Sequence, residues 1–262
     1  HPTAIIHPKT DIGQNIEIGP YCCIGKYVKL GNNVRLLSHV VIEGHTQIGD
    51  STRIFPFASI GQEPQDLKFE GEDSELIIGK NNTIREHVTM NPGTEGGGMV
   101  TRIGDGCLFM IGSHVAHDCQ IGNNVVLVNN ATLGGHVEIG DWGTVGGLSA
   151  VHQFVRIGRH AMIGGMSGVE NDVIPYGIVK GNRAHLSGLN LVGLRRRKIP
   201  NGVINDLRKA YRLIFAQEGT QAERLKDVAE LFSQVEPVME IVSFLTTDSN
   251  RSICQPLFED AA

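Results

Sequence analysis

The stretch of sequence richest in chemically useful side chains is Ser113-His114-Val115-Ala116-His117-Asp118-Cys119. Two shorter segments, Gly134-Gly135-His136 and Val151-His152-Gln153, follow it. A neutral imidazole takes up a proton near pH 7, and a neighbouring carboxylate can hold the ring and stabilise the imidazolium that forms. A glycine amide approaches a developing oxyanion without side-chain obstruction. His117, Gly135 and Gln153 are spaced at eighteen residues, as are Asp118 and His136. If eighteen residues make one winding of the chain, these groups stack in adjacent columns suited to acyl transfer. Two other readings use the same residues. His114, His117 and His136 offer three nitrogens to a zinc ion whose bound water attacks a small substrate. Alternatively, polar corner residues satisfy backbone groups in a solenoid that only binds a partner, through the basic run Arg195-Arg196-Arg197-Lys198 for example.

What must position these residues is a repeat. From Ile6 the chain divides every six residues into ten units that each begin with Ile or Leu. The register resumes at Ile78 for three units and at Ile103 for twelve, and only Met90 and Phe109 replace Ile, Leu or Val at the first position. Six residues match neither a helical turn nor a heptad, but they suit a short extended segment followed by a corner, with one aliphatic residue per unit turned inward. Gly, Asn and Asp follow the aliphatic position and tolerate the positive φ that corners demand. Such coils bury their apolar sides only by stacking, which predicts a β-helix on the order of 40 Å long. Two segments break the register, residues 66–77 and 96–102, and are expected to bulge outward as loops. Beyond Ile174 the pattern gives way to helical periodicity over 205–217, 220–235 and 236 to about 246. The predicted organisation is a β-helix over residues 1–182 and a helical domain over 183–262.

Composition narrows the class. With 33 glycines, 5% aromatic residues and a formal charge of −5, the chain suits a repeat protein with many tight corners. Its acidity and lack of an aromatic platform argue against nucleic-acid binding. No run of about 18 apolar residues suggests a membrane span, and the opening HPTAIIHPKTDIG lacks the features of a signal peptide, so a cytoplasmic location is expected. The five cysteines are odd in number and scattered, as expected of reduced thiols.

The segments GQEPQDLKFEGE, GSHVAHDCQIGNN, NNATLGGHVEIGD, AVHQFVRIG, MIGGMSGV and GNRAHLSGLNLVGLRRR together resemble the UDP-N-acetylglucosamine O-acyltransferases, over nearly the whole length of the chain. The resemblance implies a left-handed parallel β-helix with a C-terminal α-helical domain, three hexapeptides per coil, and assembly as a homotrimer with the active site between subunits. It implies transfer of an R-3-hydroxyacyl group from acyl carrier protein to the 3-hydroxyl of UDP-N-acetylglucosamine, the first step of lipid A synthesis, without cofactor or metal. In this family pattern His117 is the general base, Asp118 orients it, and Gly135 donates its amide to the oxyanion. His136 and Gln153 lie beside the sugar, Gln65, Asp66 and Lys68 beside sugar or pantetheine, and His114 near the acyl hydroxyl. Asn190, Arg196 and Arg197 match the uridine and phosphate end, and the Arg cluster also suits the acidic carrier protein. Gly147 and Gly165 are expected to stack into a groove for the acyl chain, with length near that of hydroxymyristate. The chain departs from the pattern at Val192, where a glutamate is expected, and at Asn91-Pro92, which replace a His-Arg pair. The first departure leaves open a 3-amino analogue of the sugar as acceptor.

Overall fold

The computed structural model describes residues 1–257, so the last five residues of the expected helical domain lie outside the described part. Twenty-five short strands, from Ile5–Ile6 to Gly168–Val169, correspond one to one with the sequence repeats, and each repeat's leading aliphatic residue is the last residue of its strand. Every third strand joins the same parallel sheet, giving three sheets that form the sides of a prism. The pairings His114 with Thr132, Thr132 with Ala150 and Ala150 with Gly168 set the winding at eighteen residues.

From Cys22 onward, each hexapeptide except that of Gly143 sends two side chains inward rather than one. The position two residues before the aliphatic one is also buried, because strand residues two apart share a face. It takes Val28, Val34 and Val40, and the small thiols of Cys22, Cys107 and Cys119. Burial pushes the Cys107 thiol up to about 11 and that of Cys119 to about 12, so these cysteines are core filler rather than nucleophiles.

Two excursions leave the corner between the first and second sheets. The first starts after Ile60 and rejoins at Glu75–Ile78; the second starts after Met90 and rejoins at Val100–Ile103. Both rejoin earlier than the break in the hexapeptide register implies, because Leu76 and Thr101 already occupy inward positions of four-residue strands. The last winding shortens, Val173 bridging Ile157. Gly177–Lys180 and His185–Leu189 then close the third sheet as an antiparallel pair.

Four helices follow: α1 (Leu191–Arg196), α2 (Asn201–Ile214), α3 (Gln221–Leu231) and α4 (Glu236–Thr246). Helix α1 lacks the length that makes periodicity visible; it starts because the Asn190 side chain accepts the Gly193 amide. Helix α3 starts on a Thr220–Glu223 capping box. Ile204, Leu207, Leu225, Val228, Val238 and Ile241 form the helical core, and α2 also packs on the His185–Leu189 strand. No helix among the described residues is long and apolar enough to cross a membrane.

Candidate active site

The corner that follows the His114–Val115 strand brings His117 and Asp118 side by side. Asp118 adopts φ 61° and His136, one winding later, φ 62°, a region in which Asn, Asp and His are enriched among side chains other than glycine. The Asp118 carboxyl is wholly buried. Its Oδ1 accepts from the Thr94 amide at 2.9 Å, and its Oδ2 accepts from the Thr94 hydroxyl at 2.6 Å and from His117 Nδ1 at 2.8 Å. Its own amide donates to Thr101 Oγ1 at 2.7 Å. Because a carboxylate only accepts, His117 donates from Nδ1, and the neutral form of the ring has its lone pair on Nε2.

Gly135 lies directly over that ring. A Cβ there would stand 2.5 Å from His117 Cε1 and 2.6 Å from Nε2, so only glycine lets the backbone approach the imidazole so closely. Its amide has no acceptor among the described residues and is available as a donor. The His136 ring meets the His117 ring edge to face at 5.0 Å and stacks flat on Phe154 at 4.3 Å. Burial holds its pKa below the ordinary histidine value, with Asp118 opposing the shift. Gln153 sits one winding beyond Gly135, exposed, and its carbonyl accepts from Arg251 Nε at 3.1 Å.

The first excursion brings Asp66 and Lys68 toward this corner. The Lys68 amide donates to Asp66 Oδ1 at 3.1 Å and its ammonium lies 3.5 Å from Oδ2. That amide, followed by the charge of Lys68, holds the Asp66 carboxyl below the usual range. Gln65 is exposed on the same loop. His114 lies on the strand before the corner, its Nδ1 2.7 Å from Thr89 Oγ1, and burial lowers its pKa.

The remaining candidates occupy the other two corners. Asn190 donates to the His160 carbonyl at 2.9 Å, and Arg197 donates to the Trp142 carbonyl at 3.1 Å with its guanidinium 5.3 Å from the Trp142 ring centre. Both therefore stand on the Trp142–His160–Tyr176 stack at the corner between the second and third sheets, with Arg196 exposed nearby. Gly147 and Gly165 stack at the corner between the third and first sheets, where a Cβ on Gly165 would sit 3.3 Å from the Gly147 carbonyl oxygen. Exposed Leu148 and Met166 flank them. Val192 is exposed in the first turn of α1.

The three histidines considered as zinc ligands are not gathered. The group close enough to share an ion is His117, Asp118 and His136, within 4.8 Å of one another. Its carboxylate oxygen Oδ2 is already used by Thr94 and His117. Sequence reasoning missed Thr94, Thr101 and Phe154. The run Gly96-Gly97-Gly98 was the available signal for the first: a Cβ on Gly97 would fall inside the Asp118 carboxylate, so the chain passes the acid closely.

An imidazole hydrogen-bonded to a buried carboxylate and overlaid by a glycine, on stacked hexapeptide coils, fits a transferase of the hexapeptide-repeat class. Residues 101–135 match the family model of bacterial transferase hexapeptides (six repeats), and residues 172–254 match that of UDP-N-acetylglucosamine O-acyltransferase, domain 2. The chain belongs to the UDP-N-acetylglucosamine O-acyltransferase family. It is 57% identical to the acyl-[acyl-carrier-protein]--UDP-N-acetylglucosamine O-acyltransferase of Paracoccus denitrificans over 78% of this chain and 77% of that one. It is 46% identical to the Sinorhizobium fredii enzyme of the same name, over 98% of this chain and 95% of that one. The crystal structure of Francisella novicida UDP-N-acetylglucosamine acyltransferase superposes with a TM-score of 0.95 at 34% identity, covering 100% of this chain and 96% of that one.

Proposed function

We propose that the chain transfers an R-3-hydroxyacyl group from acyl carrier protein to the 3-hydroxyl of UDP-N-acetylglucosamine, opening lipid A synthesis in the cytoplasm. The observation that carries this reading is the His117 ring, tied through Nδ1 to buried Asp118 and overlaid by Gly135, in a member of this family. His117 Nε2 takes the proton of the sugar hydroxyl as its oxygen attacks the thioester carbonyl. The Gly135 N–H donates to the oxyanion of the tetrahedral intermediate. Collapse breaks the carbon–sulfur bond, and imidazolium returns the proton to the departing pantetheine thiolate. Asp118 holds the ring and offsets its positive charge. No cofactor or metal takes part.

His136 and Gln153 then face the sugar, Gln65, Asp66 and Lys68 the sugar or pantetheine, and His114 the acyl hydroxyl. Asn190, Arg196 and Arg197 take the uridine diphosphate, with the basic run also suiting the acidic carrier. Gly147 and Gly165 leave a wall without side chains for an acyl chain near the length of hydroxymyristate. These groups sit on three corners of one prism, which supports a homotrimer in which neighbouring copies bring different corners together. We take residues 1–182 as the β-helical domain and the remainder as the helical one.

The test is to incubate the protein with R-3-hydroxyacyl carrier proteins of graded chain length and either UDP-N-acetylglucosamine or its 3-amino analogue, and to weigh the products. The expected result is an ester of the first acceptor, best with donors near hydroxymyristate, unchanged by chelators. An amide with the second acceptor alone would move the reading to the amino sugar. No acylated nucleotide from either would remove it, and a rate lost to chelation and restored by zinc would favour the metal reading.

A further inference from the structure

The carboxylate that orients His117 is itself held from outside its own coil. Both Asp118 oxygens accept from a single residue of the second excursion, Thr94, through its amide at 2.9 Å and its hydroxyl at 2.6 Å. Thr94 is buried, with extended backbone. Its carbonyl accepts the amides of Gly97 and Met99, both at 3.0 Å, which closes the loop around it. Three residues earlier, the buried Asn91 donates from Nδ2 to the carbonyls of Gln62 and Glu63 at 3.0 and 3.2 Å, tying this excursion to the loop that carries Asp66 and Lys68. Gly97 backs the Asp118 carboxylate at a distance that admits no side chain.

A carboxyl group turns readily about its last torsion. With His117 as its only side-chain partner, the Asp118 carboxylate would sample orientations in which Oδ2 no longer meets Nδ1. The Thr94 hydroxyl and amide remove that freedom, and because the hydroxyl must donate, Oδ2 keeps a lone pair for the imidazole. We propose that Thr94 is a positioning residue for acyl transfer: by clamping both Asp118 oxygens it locks the His117 tautomer and ring orientation that leave Nε2 as the base. The second excursion is on this account part of the catalytic apparatus rather than a tolerated insertion. The inference rests on the reading of His117 as the base.

Thr94→Val keeps shape and amide and loses only the hydroxyl. We expect kcat to fall roughly tenfold to thirtyfold, in line with loss of one hydrogen bond to a charged group, while KM for both substrates stays within about twofold. Thr94→Ser, which restores the hydroxyl without the methyl, recovers most of the loss. Nitrogen NMR of labelled histidine checks the cause independently of turnover: wild type shows the Nδ1-protonated tautomer at His117, and Thr94→Val shows a mixture. His117→Ala is run beside them. If it is inactive while Thr94→Val turns over at the wild-type rate, the role of Thr94 is overturned and the base assignment stands. Equal losses in the Val and Ser variants, with the tautomer unchanged in both, also overturn the role of Thr94. If His117→Ala retains wild-type activity, the underlying reading fails instead.

Discussion

Asp118 and Asp172 both lie where the chain passes from the first sheet to the second, both have fully buried side chains, and both are held in nearly the same way. In each, a hydroxyl donates to Oδ2 at 2.6 Å (Thr94 or Ser249), a backbone amide donates to Oδ1 at 2.8–2.9 Å, and a nitrogen of a basic side chain donates to Oδ2 at 2.8 Å. The difference lies in that third donor. At Asp118 it is an imidazole whose other nitrogen remains free beside a glycine. At Asp172 it is Arg156, permanently protonated, whose guanidinium also packs on the Phe244 ring at 4.5 Å and reaches the Phe244 carbonyl. The same cradle therefore orients an imidazole, the base of the proposed mechanism, in one place and latches α4 and the C-terminal segment to the β-helix in the other. A buried, fully hydrogen-bonded carboxylate does not by itself indicate catalysis; what matters is whether its partner can still exchange a proton.

The contrast is tested hardest by Asp118→Asn and Asp172→Ala assayed side by side. The first is expected to lower kcat by roughly 10²-fold to 10⁴-fold, because an amide no longer imposes the required tautomer, with only a modest change in unfolding free energy. The second leaves Arg156 buried without its partner and is expected to cost about 3–5 kcal/mol in denaturant unfolding, while kcat per folded molecule stays within a few-fold of wild type. If Asp172→Ala abolished turnover in folded protein, or Asp118→Asn lost stability and kept its rate, the division of labour would be wrong.

His160 sharpens the comparison as a buried histidine without a carboxylate. It lies between Trp142 and Tyr176, its Nδ1 has no partner, and burial, reinforced by Arg197 and Arg159, pushes its pKa down to about 4. A depressed histidine pKa means that the unfolded chain takes up the proton first. His160 therefore costs no stability above about pH 6.5, and the protein loses stability progressively as pH falls from there toward 4, by up to on the order of 3 kcal/mol. Replacement by Phe should make unfolding free energies less dependent on pH between 7 and 5 than in wild type; an unchanged dependence would remove His160 as the cause.

Much of this was legible in the sequence because a solenoid writes its geometry as a period. Once the windings are eighteen residues long, the stacking of His117 with Gly135 and of Asp118 with His136 follows by counting, and the pairing of His114 with Thr132 agrees. The placing of Gly147 and Gly165 at another corner follows from the same count once sheets are assigned, whereas Asn190 and Arg197, beyond the last winding, are placed by their bonds to the His160 and Trp142 carbonyls. Phe154, one winding beyond His136, was open to the same count; what the count could not give lies where the period fails. Thr94 reaches Asp118 from an excursion that obeys no register, and Ser249 reaches Asp172 across 77 residues from a segment beyond the last helix. Contacts of that kind depend on loop paths, and local residue spacing carries no trace of them.

In the proposed mechanism His117 acts as the proton acceptor, and the roles of Asp118 and Thr94 follow from that. The most direct test is the initial rate at which His117→Ala forms acylated UDP-N-acetylglucosamine from a hydroxyacyl carrier protein, compared with wild type at equal concentration and with matching thermal unfolding. A rate below about one-hundredth of wild type is predicted; a folded variant working at a comparable rate would contradict it.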